Sequence, residues 1–476
     1  MVQSSQPSRS SKKANASGSA NTRKRTDKKE RDSITRKQQP RRTAATASQK
    51  EPAKEEGTDQ LDLFGTKVPL SLQQLLLNVF KAAFLYDESS TPSAADENES
   101  EQQHHEKKQK QLDIKPLIQT IKSHLYNRDF DSAFTDASED LLRAYALRWS
   151  ASRALGYVNV FKSVLGLCLD RSGSDRNADT STSQIVCIGG GAGAEIVALA
   201  AVWRDFVDSD SAISSSHPSP QDGNGDGDDA GVQAVLDEIS AVSLGEKTSS
   251  TTVGEFRPSL SIKAVDIADW SSVVERLNRT LRSSAVPGSK AHPAPLLPSS
   301  SSSSNDDDDG GFNVHFTRAD VLSLNDNDLE RLFQPDPTGS SLPTVKPNKT
   351  VLVTLMFTLN ELFSTSMAKA TAFLLRMTDL LEQGTMLLVL DSPGSYSTLT
   401  LGGGNSKQAQ QDRRYPMKFL LDHTLLSVAK GKWERVFSQD SRWWRRDVAR
   451  LRYEVGEGVG LEDMRFQVHI YRRLDG

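Results

Sequence analysis

A glycine-rich loop is the first feature of this sequence with a clear chemical use. The apolar run IVCI at residues 185–188 is followed by Gly189, Gly191 and Gly193, and then by a second apolar run, IVALAAVW. Glycine allows a tight turn and a close approach of the backbone to a ligand, and the first N–H groups of a following helix attract polar or anionic groups. The pattern predicts a strand, a loop and a helix that together bind a nucleotide-like cofactor.

Two aspartates that end later apolar segments are candidates for the same site. Asp266 ends SLSIKAVD, where a carboxylate can accept hydrogen bonds from ribose hydroxyls. Its distance from the loop exceeds the usual spacing of about 20 residues because a polar insertion follows Asp208. Asp320 follows FNVHFTRA and is a candidate to bind an adenine amine or, alternatively, to cap a helix. The loop fits NAD, through the GxGxxA pattern that ends at Ala194, or S-adenosylmethionine, through GxGxG.

The candidate reactive residues follow the next two apolar segments. Asn360 and Glu361 come directly after KTVLVTLMFTL, and Asp391 ends GTMLLVLD. Open α/β sheets bind ligands at the carboxyl ends of their strands, so these three side chains should meet there. We interpret Glu361 and Asp391 as candidate general bases and Asn360 as a hydrogen-bonding residue for the acceptor. The structural alternatives are a helix start and a polar turn.

The cysteines and histidines argue against other chemistries. Cys168 and Cys187 have no paired spacing, so neither disulfides nor a CxxC zinc site is expected, and a reducing compartment follows. Neither cysteine follows the fourth or fifth strand, where methylation of pyrimidine carbon 5 would need a thiolate; a nitrogen or oxygen acceptor needs only an aligned lone pair. The eight histidines form no HExxH or similar cluster, so no metal is expected. No stretch approaches about 20 apolar residues, so no membrane segment is expected.

Two clusters combine arginines with tryptophans. Aromatic faces stack on bases and guanidinium groups bind phosphates, so either cluster could line an RNA groove. Apolar caps with neighbouring arginines are the alternative. The clusters consist of Arg148, Trp149 and Arg153, and of Trp443, Trp444 and Arg445.

A sheet with flanking helices is needed to position these residues. From residue 181 onward, short strand-like segments alternate with helical ones, which predicts an α/β fold with a doubly wound, mainly parallel sheet. The final RFQVHIYRR follows the strand-like WERVF across a loop containing Trp443 and Trp444, so a closing antiparallel hairpin is expected. Before the sheet, apolar residues at helical spacing predict a helical prefix.

Composition divides the chain into three parts. These are a basic tail at residues 1–60, expected to be disordered, a helical prefix with an acidic linker at 61–180, and the catalytic domain at 181–476. Runs rich in Ser, Asp and Gly cannot build a core, so disordered insertions are expected near 208–254, 283–311, 335–348 and 402–411. The net charge of −4 conceals a first segment rich in Lys and Arg. Such a segment binds RNA phosphates or an import receptor, or only solubilises the terminus.

The sequence resembles the fungal 25S ribosomal RNA (uridine-N3)-methyltransferases. The resemblance covers most of the chain from Leu61 onward and rests on RALGYVNVF, IVCIGGGAGAEIVALAA, TLMFTLNELFSTSMAKATAFLLRMT, DSPGSYSTLTLG, YPMKFLLDH, DSRWWRR and LEDMRFQVHIYRR. It implies a Class I, Rossmann-like fold in which the glycine loop and Asp266 bind S-adenosylmethionine. It also implies that uridine N3 in large-subunit rRNA is the acceptor, that rRNA or a pre-ribosomal particle is the partner, and that the protein works in the nucleolus of the nucleus, with the cytoplasm as a further location.

Two other functions share parts of this pattern. An NAD-dependent oxidoreductase would use the same loop and Asp266, but no Ser-Tyr-Lys or His-Arg constellation for hydride transfer is recognisable. A non-catalytic RNA-binding ribosome-assembly factor could retain the fold without the activity. Binding of the cofactor without turnover would favour that second alternative. The pattern leaves the oligomeric state open.

Overall fold

Five parallel strands and an antiparallel hairpin form the main sheet of the protein, seen here in a computed structural model. The structure describes residues 63, 65, 67–86, 111–169, 182–214, 259–298, 311–334, 349–394, 396–399 and 413–475. The parallel strands are β1 (Thr182–Ile188), β2 (Ser259–Asp266), β3 (Phe312–Arg318), β4 (Lys349–Met356) and β5 (Met386–Asp391). A separate two-stranded ribbon consists of β6 (Tyr396–Leu399) and β7 (Arg413–Pro416), and the closing hairpin consists of β8 (Trp433–Trp444) and β9 (Met464–Arg473).

The strand order of the main sheet is β3-β2-β1-β4-β5-β9-β8. Strand β9 is antiparallel to both of its neighbours, which confirms the expected closing hairpin. The chain order reverses beside β1, because β2 lies on one side of it and β4 on the other. Such a switch point opens a crevice at the carboxyl ends of the strands. The topology therefore brings the glycine loop, which follows β1, and the segment that follows β4 to the same edge of the sheet.

Helices cover both faces of the sheet and bury its apolar side chains in two clusters. All six residues of β5 are buried, as is usual for a central strand packed on both sides. The helices before β1 are α1 (Leu70–Phe84), α2 (Ile114–Tyr126), α3 (Glu139–Tyr145) and α4 (Ala151–Leu169). The later helices are α5 (Ala194–Ser214), α6 (Ser271–Leu281), α7 (Asp326–Phe333), α8 (Leu359–Thr365), α9 (Met367–Leu380) and α10 (Met417–Asp422).

The helical prefix is part of the same core as the sheet. A π-helical turn at Ala146–Ser150 joins α3 to α4, so the two helices form one long run. Helix α4 packs against α5, and Lys162 on α4 forms an ion pair of 2.6 Å with Asp205 on α5. Residues 57–476 accordingly form one compact unit.

Two expectations from the sequence are corrected by the structure. Residues 283–298 are not a disordered insertion: Val286, Leu296 and Leu297 are buried in the core, and Leu297 N donates to Leu281 O at 2.9 Å. The low apolar content of the surrounding Ser-rich run concealed these anchors. The tryptophans at 443 and 444 lie within β8 and not in a loop, because β8 continues along β9 past two register shifts.

The remaining expected insertions fall mostly outside the described residues. This applies to the parts of them at residues 215–254, 299–310, 335–348 and 402–411, and to the whole of the basic tail at residues 1–60. The beginning of the first expected insertion is helical, since α5 extends to Ser214. Among the described helices, none combines the length and apolar character needed to cross a membrane.

Candidate active site

The glycine loop between β1 and α5 depends on its glycines. Gly189 and Gly193 have φ angles of +78° and +81°, in the left-handed region that favours glycine. Gly191 is restricted for another reason: a Cβ at this position would collide with the Trp270 ring and the Asp266 side chain. At Gly189 a Cβ would meet the side chain of Thr358, which follows β4. The loop is therefore closely packed between the carboxyl ends of β2 and β4.

Asp266 lies at the centre of the expected cofactor site. Its Oδ2 accepts a hydrogen bond of 3.2 Å from Gly191 N, and its Oδ1 accepts one of 3.2 Å from Ala268 N. Burial raises the pKa of this carboxyl to about 6, although these backbone donors act against the shift. The next residue, Ile267, is 54% exposed. An exposed apolar side chain beside the expected ribose-binding residue would offer a contact for a purine ring, which the sequence alone did not indicate.

The side chain of Asp320 forms hydrogen bonds within its own turn. Its Oδ1 accepts a hydrogen bond of 3.0 Å from Leu322 N, and its Oδ2 accepts one of 2.6 Å from Ser323 Oγ. These bonds close the turn that follows β3. The helix cap that the sequence offered as the alternative is instead Asn325, which precedes α7. The geometry provides no separate support for a contact with adenine.

The three residues predicted to react lie together at the ends of β4 and β5. Asp391 Oδ2 accepts a hydrogen bond of 3.0 Å from Asn360 N, and Asp391 Oδ1 accepts one of 2.7 Å from Ser392 N. Asp391 is 3% exposed, and burial raises its pKa to about 6. Partial burial also raises the pKa of Glu361, while the charge of Arg128 opposes that shift. Asn360 Oδ1 is buried and has no hydrogen-bond partner.

A buried hydrogen-bond chain supports the turn after Asp391. Gln467 lies opposite Asp391 in the β5–β9 pairing, and its Nε2 donates to Ser392 O at 2.8 Å. The Nε2 of His469 lies 3.0 Å from Gln467 Oε1, and its Nδ1 lies 2.9 Å from Ser438 Oγ. Burial lowers the pKa of His469 to about 4, so the ring is neutral at pH 7. This series of hydrogen bonds fixes the backbone of Ser392, whose N–H donates to Asp391.

Further functional candidates that the sequence did not single out surround this edge. Glu195, in the first turn of α5, is 3% exposed, and burial raises its pKa to about 8. Its Oε1 has no hydrogen-bond partner. Trp270 is buried against the loop and belongs to an aromatic cluster with Tyr145 and Phe134 of the prefix. Phe357, directly after β4, has a φ angle of +59°. Contacts between distant segments create all of these environments, so a local sequence pattern does not reveal them.

The first expected RNA-binding cluster is divided by the fold. Arg148 is buried, pairs with Glu462 and donates to Gly460 O, so it is not available to RNA and that expectation is wrong. Trp149 packs against Tyr145 in a tilted arrangement, with a centroid distance of 4.9 Å and an angle of 33° between the ring planes. Arg153 points toward the catalytic edge, where its Cζ lies 5.2 Å from the centroid of the Phe357 ring.

The second cluster forms an exposed surface at the end of β8. Trp443 is 51% exposed, and the guanidinium groups of Arg445 and Arg465 lie 4.3 and 5.8 Å from its ring centroid. Arg445 also forms an ion pair of 2.6 Å with Asp463. Trp444 is half-buried and packs against α4 near Gly156. Trp443 and Arg445 are thus accessible to a ligand, whereas Trp444 mainly supports them.

The sheet order, the closing hairpin, the glycine loop and the acidic residue at the end of β2 together define the Class I, Rossmann-like methyltransferase fold. A family model described as "Putative SAM-dependent methyltransferase" matches residues 98–472. The chain belongs to this family, and its cofactor is S-adenosylmethionine. The close-packed glycines, Asp266 and the exposed Ile267 fit this cofactor and would hold its ribose and adenine. Within the described residues, no group of three or more His, Cys, Asp or Glu side chains is placed to bind a metal ion.

One relative is the 25S rRNA (uridine(2843)-N(3))-methyltransferase of Saccharomyces cerevisiae. It is 30% identical over 405 residues, which cover 84% of this chain and 85% of that protein. Among solved structures, a SAM-dependent methyltransferase from Methanosarcina mazei is 8% identical, with 63% of this chain and 95% of that chain covered and a TM-score of 0.26. An O-methyltransferase family protein from Burkholderia thailandensis is 11% identical, with 76% and 73% covered and a TM-score of 0.26. Scores at this level do not bear on the site or the substrate.

Proposed function

We propose that the protein transfers the methyl group of S-adenosylmethionine to N3 of a uridine in large-subunit ribosomal RNA. The named activity of the Saccharomyces cerevisiae relative supports this substrate. The observation that carries the proposal is the grouping of Asp391, Glu361 and the unpartnered Asn360 Oδ1 at one edge of the sheet. This edge also contains Thr358, which packs on the cofactor loop at Gly189.

The proposed acceptor requires a base. Uracil N3 carries a weakly acidic proton, and its electron pair can attack a methyl group only after that proton leaves. Asp391 and Glu361 are the candidate bases, because burial raises the pKa of both carboxyls and so makes each a better proton acceptor. The two backbone donors to Asp391 hold its carboxylate in place. Glu361 is the more exposed of the two carboxylates.

Asn360 suits the edge of the uracil that reacts. A buried acceptor without a partner is costly, so an unpartnered Asn360 Oδ1 favours a ligand that supplies a donor. The N3–H of neutral uracil is a donor between two carbonyl acceptors, and the Asn360 amide group carries both a donor and an acceptor. N3 lies on the Watson–Crick edge, so a paired uridine must be unpaired or flipped to reach the site.

Exposed aromatic and basic side chains provide RNA contacts around this edge. Trp443 with Arg445, a group that the sequence already indicated as a candidate, is one of them. Tyr126 and Phe130 are exposed on the prefix on either side of Arg128, whose charge acts on Glu361. Base stacking on aromatic rings and phosphate binding by arginine fit single-stranded or flipped RNA. With ribosomal RNA or a pre-ribosomal particle as the partner, the protein would work in the nucleus and nucleolus.

Mapping of modified nucleosides tests the proposal directly. Large-subunit rRNA from cells with and without the gene product would be digested and analysed by mass spectrometry. We expect one 3-methyluridine to be lost and to return with the wild-type gene but not with the double variant Asp391→Asn, Glu361→Gln. Unchanged 3-methyluridine, or loss of a different methylated nucleoside, would contradict the proposal. Cofactor binding by the purified protein without turnover on rRNA or pre-ribosomal particles would favour the non-catalytic assembly factor, and tighter binding of NAD would favour the oxidoreductase.

A further inference from the structure

Arg153 is an unusual charge at the catalytic edge. It lies in the first turn of α4, far along the chain from the segments after β4 and β5 that carry the other candidate residues. Its Nη1 donates to Tyr145 Oη at 2.8 Å, and its Cζ lies 5.7 Å from the Tyr145 ring centroid and 5.2 Å from that of Phe357. In the described part of the chain, Tyr145 Oη is its only hydrogen-bond partner, and no carboxylate lies within 4.0 Å. The guanidinium group therefore has donors to spare.

Such a charge needs an explanation. Arginine stays protonated, and a half-buried guanidinium group without an ion pair is desolvated without full compensation. Arg148, five residues earlier on the same helical run, shows how a buried arginine is usually neutralised, because it forms an ion pair with Glu462. The charge of Arg153 acts on Glu195 beside the glycine loop and on Asp391 at the end of β5. Its contact with the Phe357 ring places the guanidinium group beside the end of β4.

Phe357 holds the other side of this arrangement. Its φ angle of +59° is strained for a residue with a side chain, and its N–H donates to Leu390 O at 2.6 Å, which links the ends of β4 and β5. The strain turns the chain directly after β4, with the ring against Arg153 and with Asn360 only three residues further on. An aromatic face and a free cationic donor are thus fixed next to the residues that would bind the acceptor.

We propose that Arg153 and Phe357 form the binding site of the acceptor uracil. Arg153 binds a uracil carbonyl oxygen and stabilises the negative charge that appears when N3 loses its proton. This inference rests on the proposed function. In the reaction the N3–H bond breaks and its proton passes to Asp391 or Glu361. The electron pair left on N3 spreads over the two carbonyl oxygens and then forms the bond to the methyl carbon. The carbon–sulfur bond breaks and its electron pair stays on sulfur, leaving a neutral thioether.

The position favours the acceptor over the cofactor as the ligand of Arg153. Its aromatic neighbour Phe357 belongs to the β4 edge that carries Asn360 and Glu361, not to the glycine loop. Removal of one preorganised donor that stabilises charge developing in the transition state typically lowers the rate about a hundred- to a thousandfold. The carboxylate of the cofactor's amino-acid end is the competing ligand, and the experiment separates the two.

The test compares Arg153→Met, Arg153→Lys and the control Arg331→Met, an exposed arginine on α7. Single-turnover rates would be measured at saturating cofactor with an rRNA fragment containing uridine and with one containing 5-fluorouridine, whose N3–H is more acidic. We expect Arg153→Met to lower the single-turnover rate with uridine about a hundredfold or more. The factor by which it lowers the rate with 5-fluorouridine should be at least about tenfold smaller. Arg153→Lys should recover part of the rate, and Arg331→Met should match the wild type. Calorimetry should show cofactor affinity within about threefold of wild type for all variants.

Three results would overturn the inference. An equal loss of rate on both substrates would show that Arg153 does not act on the charge of the imide. A tenfold or larger loss of cofactor affinity, with an unchanged rate at saturation, would assign Arg153 to the cofactor carboxylate. An unchanged uridine rate would remove it from the reaction. The wild-type product is identified first: if it is not 3-methyluridine, the proposed function fails independently of Arg153.

Discussion

Replacement of Asp391 by asparagine tests whether this residue is kept for function at a cost in stability. Burial raises the pKa of its carboxyl from 3.8 to about 6, so keeping it ionised at pH 7 costs about 3 kcal/mol. Asparagine removes that cost. It also loses one of the two hydrogen bonds from Asn360 N and Ser392 N, which costs about 1–3 kcal/mol. We therefore expect Asp391→Asn to change the free energy of unfolding at pH 7 by between about zero and 2 kcal/mol, in the stabilising direction.

The pH dependence of stability gives the sign of the effect. Because the folded pKa lies above the unfolded value, Asp391 contributes stability that is fully present below about pH 4 and is lost as the pH rises through about 6. Denaturant unfolding of wild type and Asp391→Asn would be compared between pH 4 and pH 8. The difference between the two should move in favour of the variant across that window. Asp326→Asn is the control, since the Asp326 side chain is 91% exposed and pairs with Arg376 at 2.7 Å. The difference between this variant and the wild type should not move in favour of the variant across the same window.

Asp391→Asn should lower the activity although it leaves the stability unchanged or raises it. A positioned base contributes about a hundred- to ten-thousandfold in rate, so Asp391→Asn should lose that much turnover and keep its cofactor affinity. Higher pH should partly restore the rate if Asp391 is the base, because the imide then loses its proton to solvent. Glu361→Gln serves as the matched test of the second candidate. Destabilisation of Asp391→Asn by more than about 3 kcal/mol at pH 7 would contradict this account of Asp391. Near-normal turnover of both variants from pH 6 to 9 would show that neither carboxylate is the base.

Four further predictions concern the cofactor and RNA. Gly191→Arg should abolish S-adenosylmethionine binding in calorimetry, because even a Cβ collides with Trp270 there; retained affinity would show that the loop does not hold the cofactor. Burial holds the pKa of Glu195 at about 8, and a bound cation should lower it, so cofactor binding near pH 7.5 should release protons. Titrations in two buffers of different ionisation enthalpy would detect this release, which Glu195→Gln should lack. Trp443→Ala should weaken binding of an rRNA fragment by about 1–3 kcal/mol without changing cofactor affinity; an unchanged RNA affinity would remove Trp443 from the interface. Removal of residues 1–56 should reduce RNA affinity at low salt and nucleolar retention, with a smaller effect at high salt; no effect on either would leave the tail a solubilising role.

The sequence by itself determined the features that depend on neighbours along the chain. The glycine loop was recognisable because a tight turn between a strand and a helix is a local requirement, and its φ angles agree with that requirement. The alternation of strands and helices predicted a parallel sheet, and a parallel sheet brings the carboxyl ends of its strands to one edge. For this reason Asn360, Glu361 and Asp391 could be grouped before their contacts were known.

Only the tertiary structure decided which side chains face the site and in what electrostatic state. Arg148 and Arg153 lie five residues apart in one helical run, yet one is neutralised by Glu462, 314 residues further along the chain, and the other reaches the acceptor edge. The pKa values of Asp391 and Glu195 depend on burial by segments that are equally remote. Leu296 and Leu297 were concealed for the same reason, because their partners are not their sequence neighbours. Burial and charge pairing come from what packs on each face of an element, and a local pattern does not contain that information.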